Sequence, residues 1–151
     1  MLRTLFIVLS AVSITPSIQI DQAGDGWHLK ADSALRLIKS TDNKKWNLID
    51  STCDRISFWK SDFSSCDIDE SGKSTIYIAD RDVKLNSINN LSVVIVHESL
   101  HLWIRKKGIV LDPKKEEALC YKYELEFIKT LPNAEPWLYS HSIEQIKQNE
   151  K

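Results

Sequence analysis

The chain has 151 residues, 42% hydrophobic and 27% charged, which is enough for one domain around one core. Its net charge of −1 gives no support for a nucleic-acid partner, which would want a basic surplus. With four Gly, four Pro and no repeat or low-complexity stretch, most of the chain is expected to fold.

Residues 1–17 stand apart. Arg3 precedes the apolar run from Leu5 to Ile14, the pattern of a secretory signal, and the run is too short to span a bilayer comfortably. Thr15 and Ser17 supply small residues for cleavage after Ser17, and no Cys is near to make a lipoprotein signal. The expectation is an exported protein, periplasmic or secreted, whose mature domain is residues 18–151 and keeps no membrane span. The alternative is a cytoplasmic protein that buries this run as a strand or helix.

Further elements follow in order. Ser17 to Ile20 reads as a short strand. From Asp25 to about Ser40, Trp27, Ala31, Ala34, Leu35 and Ile38 recur at helical spacing. Trp46 to Asp54 reads as a short helix or an extended link. Arg55 to Trp59 alternates like a strand, and the polar Ser61 to Lys73, with Gly72, reads as a loop or turn. Ser74 to Ala79 is the clearest strand. A helix begins within Asn86 to Asn90; Arg105, Lys106 and Lys107 complement its C-terminus and Gly108 ends it. Another helix starts at Asp112-Pro113, an N-cap followed by Pro in the first turn, and runs to about Leu131 before Pro132. The tail holds Trp137 and a polar helix from about Ser140. This order makes an α+β domain. Of the three cysteines, Cys53 and Cys66 have the option of a disulfide, with Cys120 buried and free; otherwise all three are unlinked thiols.

The chemistry is concentrated in His97-Glu98-Ser99-Leu100-His101, an HExxH pattern set between Val93-Val94-Ile95-Val96 and Leu102-Trp103-Ile104. Two residues four apart on a helix are offset by about 40° and about 6 Å, so both imidazoles face one side and can share a metal ion. Glu98 can reach a water on that metal and take its proton. The bland reading, two surface His on a helix, conflicts with the apolar flanks, where unsatisfied polar groups are costly.

A close third His would need Gly at position 104 and His at position 107, and Ile104 and Lys107 exclude it. A carboxylate from the second helix is the remaining route. Glu117, Tyr121, Glu124 and Ile128 share one face, which makes Glu117 the candidate third ligand, with Glu116 its rival. Glu116 points about 100° away and is expected to be solvated. Tyr121 is placed to meet a ligand His or a reacting carbonyl, and Glu124 is placed to partner His97 or His101.

On His97, Glu98 and His101, followed by Glu117-Ala118-Leu119-Cys120-Tyr121, the chain resembles small single-domain gluzincin-type metallopeptidases over about residues 75–130. The resemblance implies a compact zincin-like domain with a small sheet, an HExxH helix and a following Glu-ligand helix. It implies Zn2+ on His97, His101 and Glu117, and hydrolysis of a peptide or protein substrate by a metal-activated water. Glu98 would be general base and acid, and Tyr121, Tyr139 or His141 would assist the oxyanion. The Ser74–Ala79 strand is then the expected edge for an extended substrate, and Trp59, Trp103, Trp137 and Tyr139 are candidates to line a cleft. Tyr121 stands where the better-known members carry an acid. Other readings are a non-catalytic metal-binding regulator or binding module, and a zinc amidase acting on cell-wall material. A non-haem iron oxygenase also uses two His and a carboxylate, but a base placed between two His of one helix favours zinc hydrolysis.

Overall fold

The computed structural model describes residues 18–22 and 26–151. The expected signal segment 1–17 lies outside them. The described residues form β1 (Gln19–Ile20), α1 (Trp27–Thr41), α2 (Asn43–Thr52), β2 (Arg55–Trp59), β3 (Ser65–Ile68), β4 (Ser74–Ala79), α3 (Asp80–Lys84), α4 (Ile88–Lys106), α5 (Pro113–Ile128) and α6 (Pro136–Asn149). The class is α+β. Helix α1 buries Trp27, Ala31, Ala34, Leu35 and Ile38, the same residues whose spacing announced it.

The four strands lie in the order β1-β2-β4-β3. β1, β2 and β4 are parallel, and β3 is antiparallel to β4. Two expectations change here. The polar stretch 61–73 is a β-hairpin arm as well as a turn. Asp69 Oδ1 accepts from the Ser71 and Lys73 amides, Gly72 takes φ 83°, and Ser65–Ile68 returns along β4. Its polar composition hid it, because only one side chain of the strand, Cys66, is buried. The Ser74–Ala79 strand is therefore interior, paired on both sides, and cannot be the sheet edge; β3 holds that position.

Helix α4 is the centre of the packing. It contacts α1, α2, α5 and the β3–β4 side of the sheet. Ser87 caps it, accepting from the Asn90 amide at 3.0 Å. Leu91, Val93, Ile95, Val96 and Leu102 enter the main core with Ile56, Ile76 and Ile78 of the sheet. A smaller cluster of Leu100, Ile104 and Cys120 fills the α4–α5 contact, with Trp103 packed against it. Asp112 caps α5 as expected, accepting from the Lys114 and Lys115 amides. Helix α6 begins at Pro136, four residues before the expected start; Pro suits a first helical turn. Its N-terminus is tied to that of α4, where Ser87 and Asn89 both donate to the Glu135 carboxylate. No helix among the described residues is long and apolar enough to cross a membrane.

All three cysteines are free and buried, so the Cys53–Cys66 pairing is absent. Cys53 instead donates its thiol to the Arg55 carbonyl at 3.1 Å.

Candidate functional site

His97, Glu98 and His101 are all buried on α4, with exposures of 7%, 8% and 6%. Along α5, Glu116 meets His101 and Glu124 meets His97, so the two helices run antiparallel. The i, i+4 spacing brings the two imidazole Nε2 atoms to 3.2 Å. Glu117 faces both: one carboxylate oxygen is 3.5 Å from His97 Nε2 and the other 3.4 Å from His101 Nε2.

The opposite ring nitrogens are each held by a different acid. His97 Nδ1 meets Glu124 Oε2 at 2.9 Å, and His101 Nδ1 meets Glu116 Oε1 at 2.6 Å. Each Nδ1–H has a carboxylate to donate to, and both Nε2 atoms point inward toward Glu117. Glu116 is thus not solvated. A helix wheel places it 100° from Glu117, but a long side chain at the α4–α5 contact reaches around to His101, and its side chain is only 19% exposed.

Glu124 is held in turn by Ser142 of α6, which donates at 2.6 Å from a fully buried position. The sequence reading placed a polar helix here but gave Ser142 no part in the site. The available signal was Leu138 and Ser142 at i, i+4, a buried face on a helix that otherwise looks polar.

The electrostatics follow from burial among acids. Burial alone would depress the His97 pKa, but hydrogen bonds to Glu117 and Glu124 outweigh it and lift it to about 10. His101 shifts up for the same reason, Glu117 and Glu116 overcoming its burial. Hydrogen bonds to the two His hold Glu117 far below the usual carboxylate range. Burial raises Glu98, against the pull of both His charges and a hydrogen bond from the Cys66 thiol of β3.

These residues fit a divalent cation. Metal–nitrogen and metal–oxygen bonds of about 2.0–2.1 Å at tetrahedral angles set neighbouring donor atoms about 3.3–3.4 Å apart. The observed separations of 3.2, 3.4 and 3.5 Å match that spacing. Four carboxylates crowd two imidazoles, an acidic surplus that a cation would neutralise. Cys120 adds a further donor: its thiol and a ring nitrogen from each of His97 and His101 lie within 4.8 Å of one another, all buried. The structure thus provides a buried His-His-Cys group able to hold a metal ion, with the Glu117 carboxylate on the same nitrogens.

A cavity of about 360 Å³ adjoins the site, lined by Phe63, His97, Glu98, Tyr121, Trp137 and His141 among others. The Tyr121 ring packs edge-on against His97, with ring centroids 4.5 Å apart, and edge-on against His141 at 5.9 Å. Burial pushes the Tyr121 hydroxyl up, so it stays protonated at neutral pH. Tyr139 is removed from consideration, since its hydroxyl donates to the Ile128 carbonyl. Of the four aromatics proposed for a cleft, Trp137 lines the cavity. Trp59 stacks with Tyr77 and Phe63, and Trp103 packs in the α4–α5 cluster. Arg105 lies in the last turn of α4 as expected and also donates to the Cys66 carbonyl at 2.5 Å, pinning β3 to the end of α4. No protein-family model, curated protein or solved structure matches this chain.

Proposed function

We propose that the chain is a zinc-dependent metallopeptidase of zincin-like build, with His97, His101 and Glu117 as metal ligands and Glu98 as general base and acid. The carrying observation is convergence: both Nε2 atoms and the Glu117 carboxylate share donor spacings of 3.2–3.5 Å, while both Nδ1 atoms are bonded to other acids. Zinc bound there would supply a Lewis acid that acidifies a water and polarises a carbonyl. Glu98, one residue beyond the first ligand, accepts the proton of the attacking water at its carboxylate and passes it to the leaving amine. Its buried setting raises its proton affinity, which suits a group that must both take and return a proton. Tyr121, kept protonated, donates to the developing oxyanion. Glu116 and Glu124 orient the two imidazoles and make them better donors. The cavity beside Glu98, with apolar walls from Val93, Val94 and Leu138, gives room for a substrate side chain.

The test combines metal analysis of purified protein with hydrolysis of unstructured proteins and cell-wall peptides. One zinc per chain, with turnover lost in Glu98→Gln, supports the reading; a zinc-free wild type grown in zinc overturns it. Cleavage confined to cell-wall amides would make the enzyme a zinc amidase.

The Cys120 thiol favours a second reading. With His97, His101 and Glu117 it would complete four protein ligands and leave no position for water, the arrangement of a structural site in a non-catalytic metal-binding module. Cys120→Ala separates the two: unchanged zinc affinity and activity favour the open, catalytic site, whereas a large loss of affinity favours the closed one.

A further inference from the structure

The turn joining α4 to α5 has a charge distribution unlike the rest of the chain. Residues 105–115 carry five basic residues and one acid, while the remainder has five more acids than bases. The one acid, Asp112, is engaged as the α5 cap. Arg105 is committed to the Cys66 carbonyl, and Lys106 lies 3.8 Å from Asp54. Lys107, Lys114 and Lys115 are exposed and form no ion pair among the described residues.

Between these cations the chain presents apolar side chains to solvent. Val110 is 93% exposed and Ile109 41%, with Leu119 at 43% nearly two turns into α5. Fraying does not cause this exposure. Gly108 takes φ 64°, its amide donates to the Arg105 carbonyl at 3.0 Å, and the Ile109 amide donates to the Ile104 carbonyl at 3.1 Å. This is the paired hydrogen-bond closure of a Schellman motif. The motif fixes the direction in which the chain leaves α4, and so holds the apolar tip outward.

We propose that this turn docks the protein on an anionic lipid surface, with Val110 and Ile109 entering the headgroup region and Lys107, Lys114 and Lys115 meeting lipid phosphates. A narrow apolar tip between unpaired cations suits a bilayer interface, where a few side chains insert and each cation adds electrostatic attraction. A protein partner would instead need a broad complementary face of about 800 Å². The turn leads directly into Glu116 and Glu117, so docking would hold the site at a fixed height near the surface.

The experiment is sedimentation of the full chain with vesicles of phosphatidylcholine alone and of phosphatidylcholine with increasing phosphatidylglycerol. Partition should rise with phosphatidylglycerol content and fall with salt. The triple variant K107Q/K114Q/K115Q should lose about a hundredfold in partition to the anionic vesicles, at roughly fivefold per cation. Val110→Asp should lose about tenfold. The N-terminal apolar segment is common to all these chains, so the differences report the turn. Circular dichroism and zinc content serve as controls for folding, since all four side chains are exposed. Equal partition of wild type and variants overturns the proposal. So does loss in the lysine variant with none in Val110→Asp, together with equal binding to a soluble polyanion, which would make the turn a general polyanion site.

Discussion

Helix α4 serves two environments that obey different rules. Leu91, Val93, Ile95, Val96 and Leu102 enter an apolar core in which shape and volume decide stability. A few residues on, His97, Glu98 and His101 are nearly as buried, yet all four imidazole nitrogens are engaged in specific contacts of 2.6–3.2 Å, with each other or with carboxylates. The core should therefore forgive a change of shape that keeps volume roughly constant. The site should not forgive a change of partner even when volume is unchanged.

The largest expected effect comes from the imidazoles. His101→Ala should abolish stoichiometric zinc, measured by elemental analysis after dialysis, because it removes a ligand and takes from Glu116 its imidazole partner. Zinc retained at one per chain would show that the metal lies elsewhere.

Next is Glu98→Gln, which preserves size and should keep zinc and fold while kcat falls about 100- to 10,000-fold. Wild-type turnover in this variant would remove Glu98 from the mechanism.

A smaller loss is expected from Glu124→Gln, again nearly isosteric. It weakens the acceptor for His97 Nδ1–H and the partner of Ser142, and zinc affinity should drop about 10- to 100-fold in a chelator competition. Glu116→Gln should act in the same range through His101. If either variant bound zinc like the wild type, the contrast between partner-limited site and volume-limited core would fail at that position.

The smallest effect tests the other side of the contrast. Ile95→Val, in the apolar part of the same helix, should cost about 0.5–1.5 kcal/mol in denaturant unfolding and leave zinc affinity unchanged. A matching loss of zinc would mean that the two halves of α4 are coupled rather than separate.

Much of the frame was legible without coordinates. Periodicity located α1 and α4, Asp112-Pro113 located the start of α5, and the i, i+4 relation put both imidazoles on one side. The same helical geometry put Glu117, Tyr121 and Glu124 on one face, and all three meet His97. Legibility failed where the deciding contact came from another element. β3 was unreadable because its pairing with β4 compensates for a polar sequence. Glu116 looked solvated because a helix wheel has no neighbour on it. Ser142 was invisible because its partner, Glu124, lies on a different helix.

The sequence by itself determined which side chains could act, since local spacing along a helix is set by backbone hydrogen bonds within a few residues. Only the tertiary structure decided which acid faces which ring nitrogen, that β3 rather than β4 is the sheet edge, and that Cys120 stands beside the two imidazoles. Those outcomes depend on how α5 and α6 are laid against α4, and that packing is fixed by contacts between residues 15–81 positions apart, such as His101 with Glu116 and Lys45 with Glu126. No local pattern in the sequence encodes them.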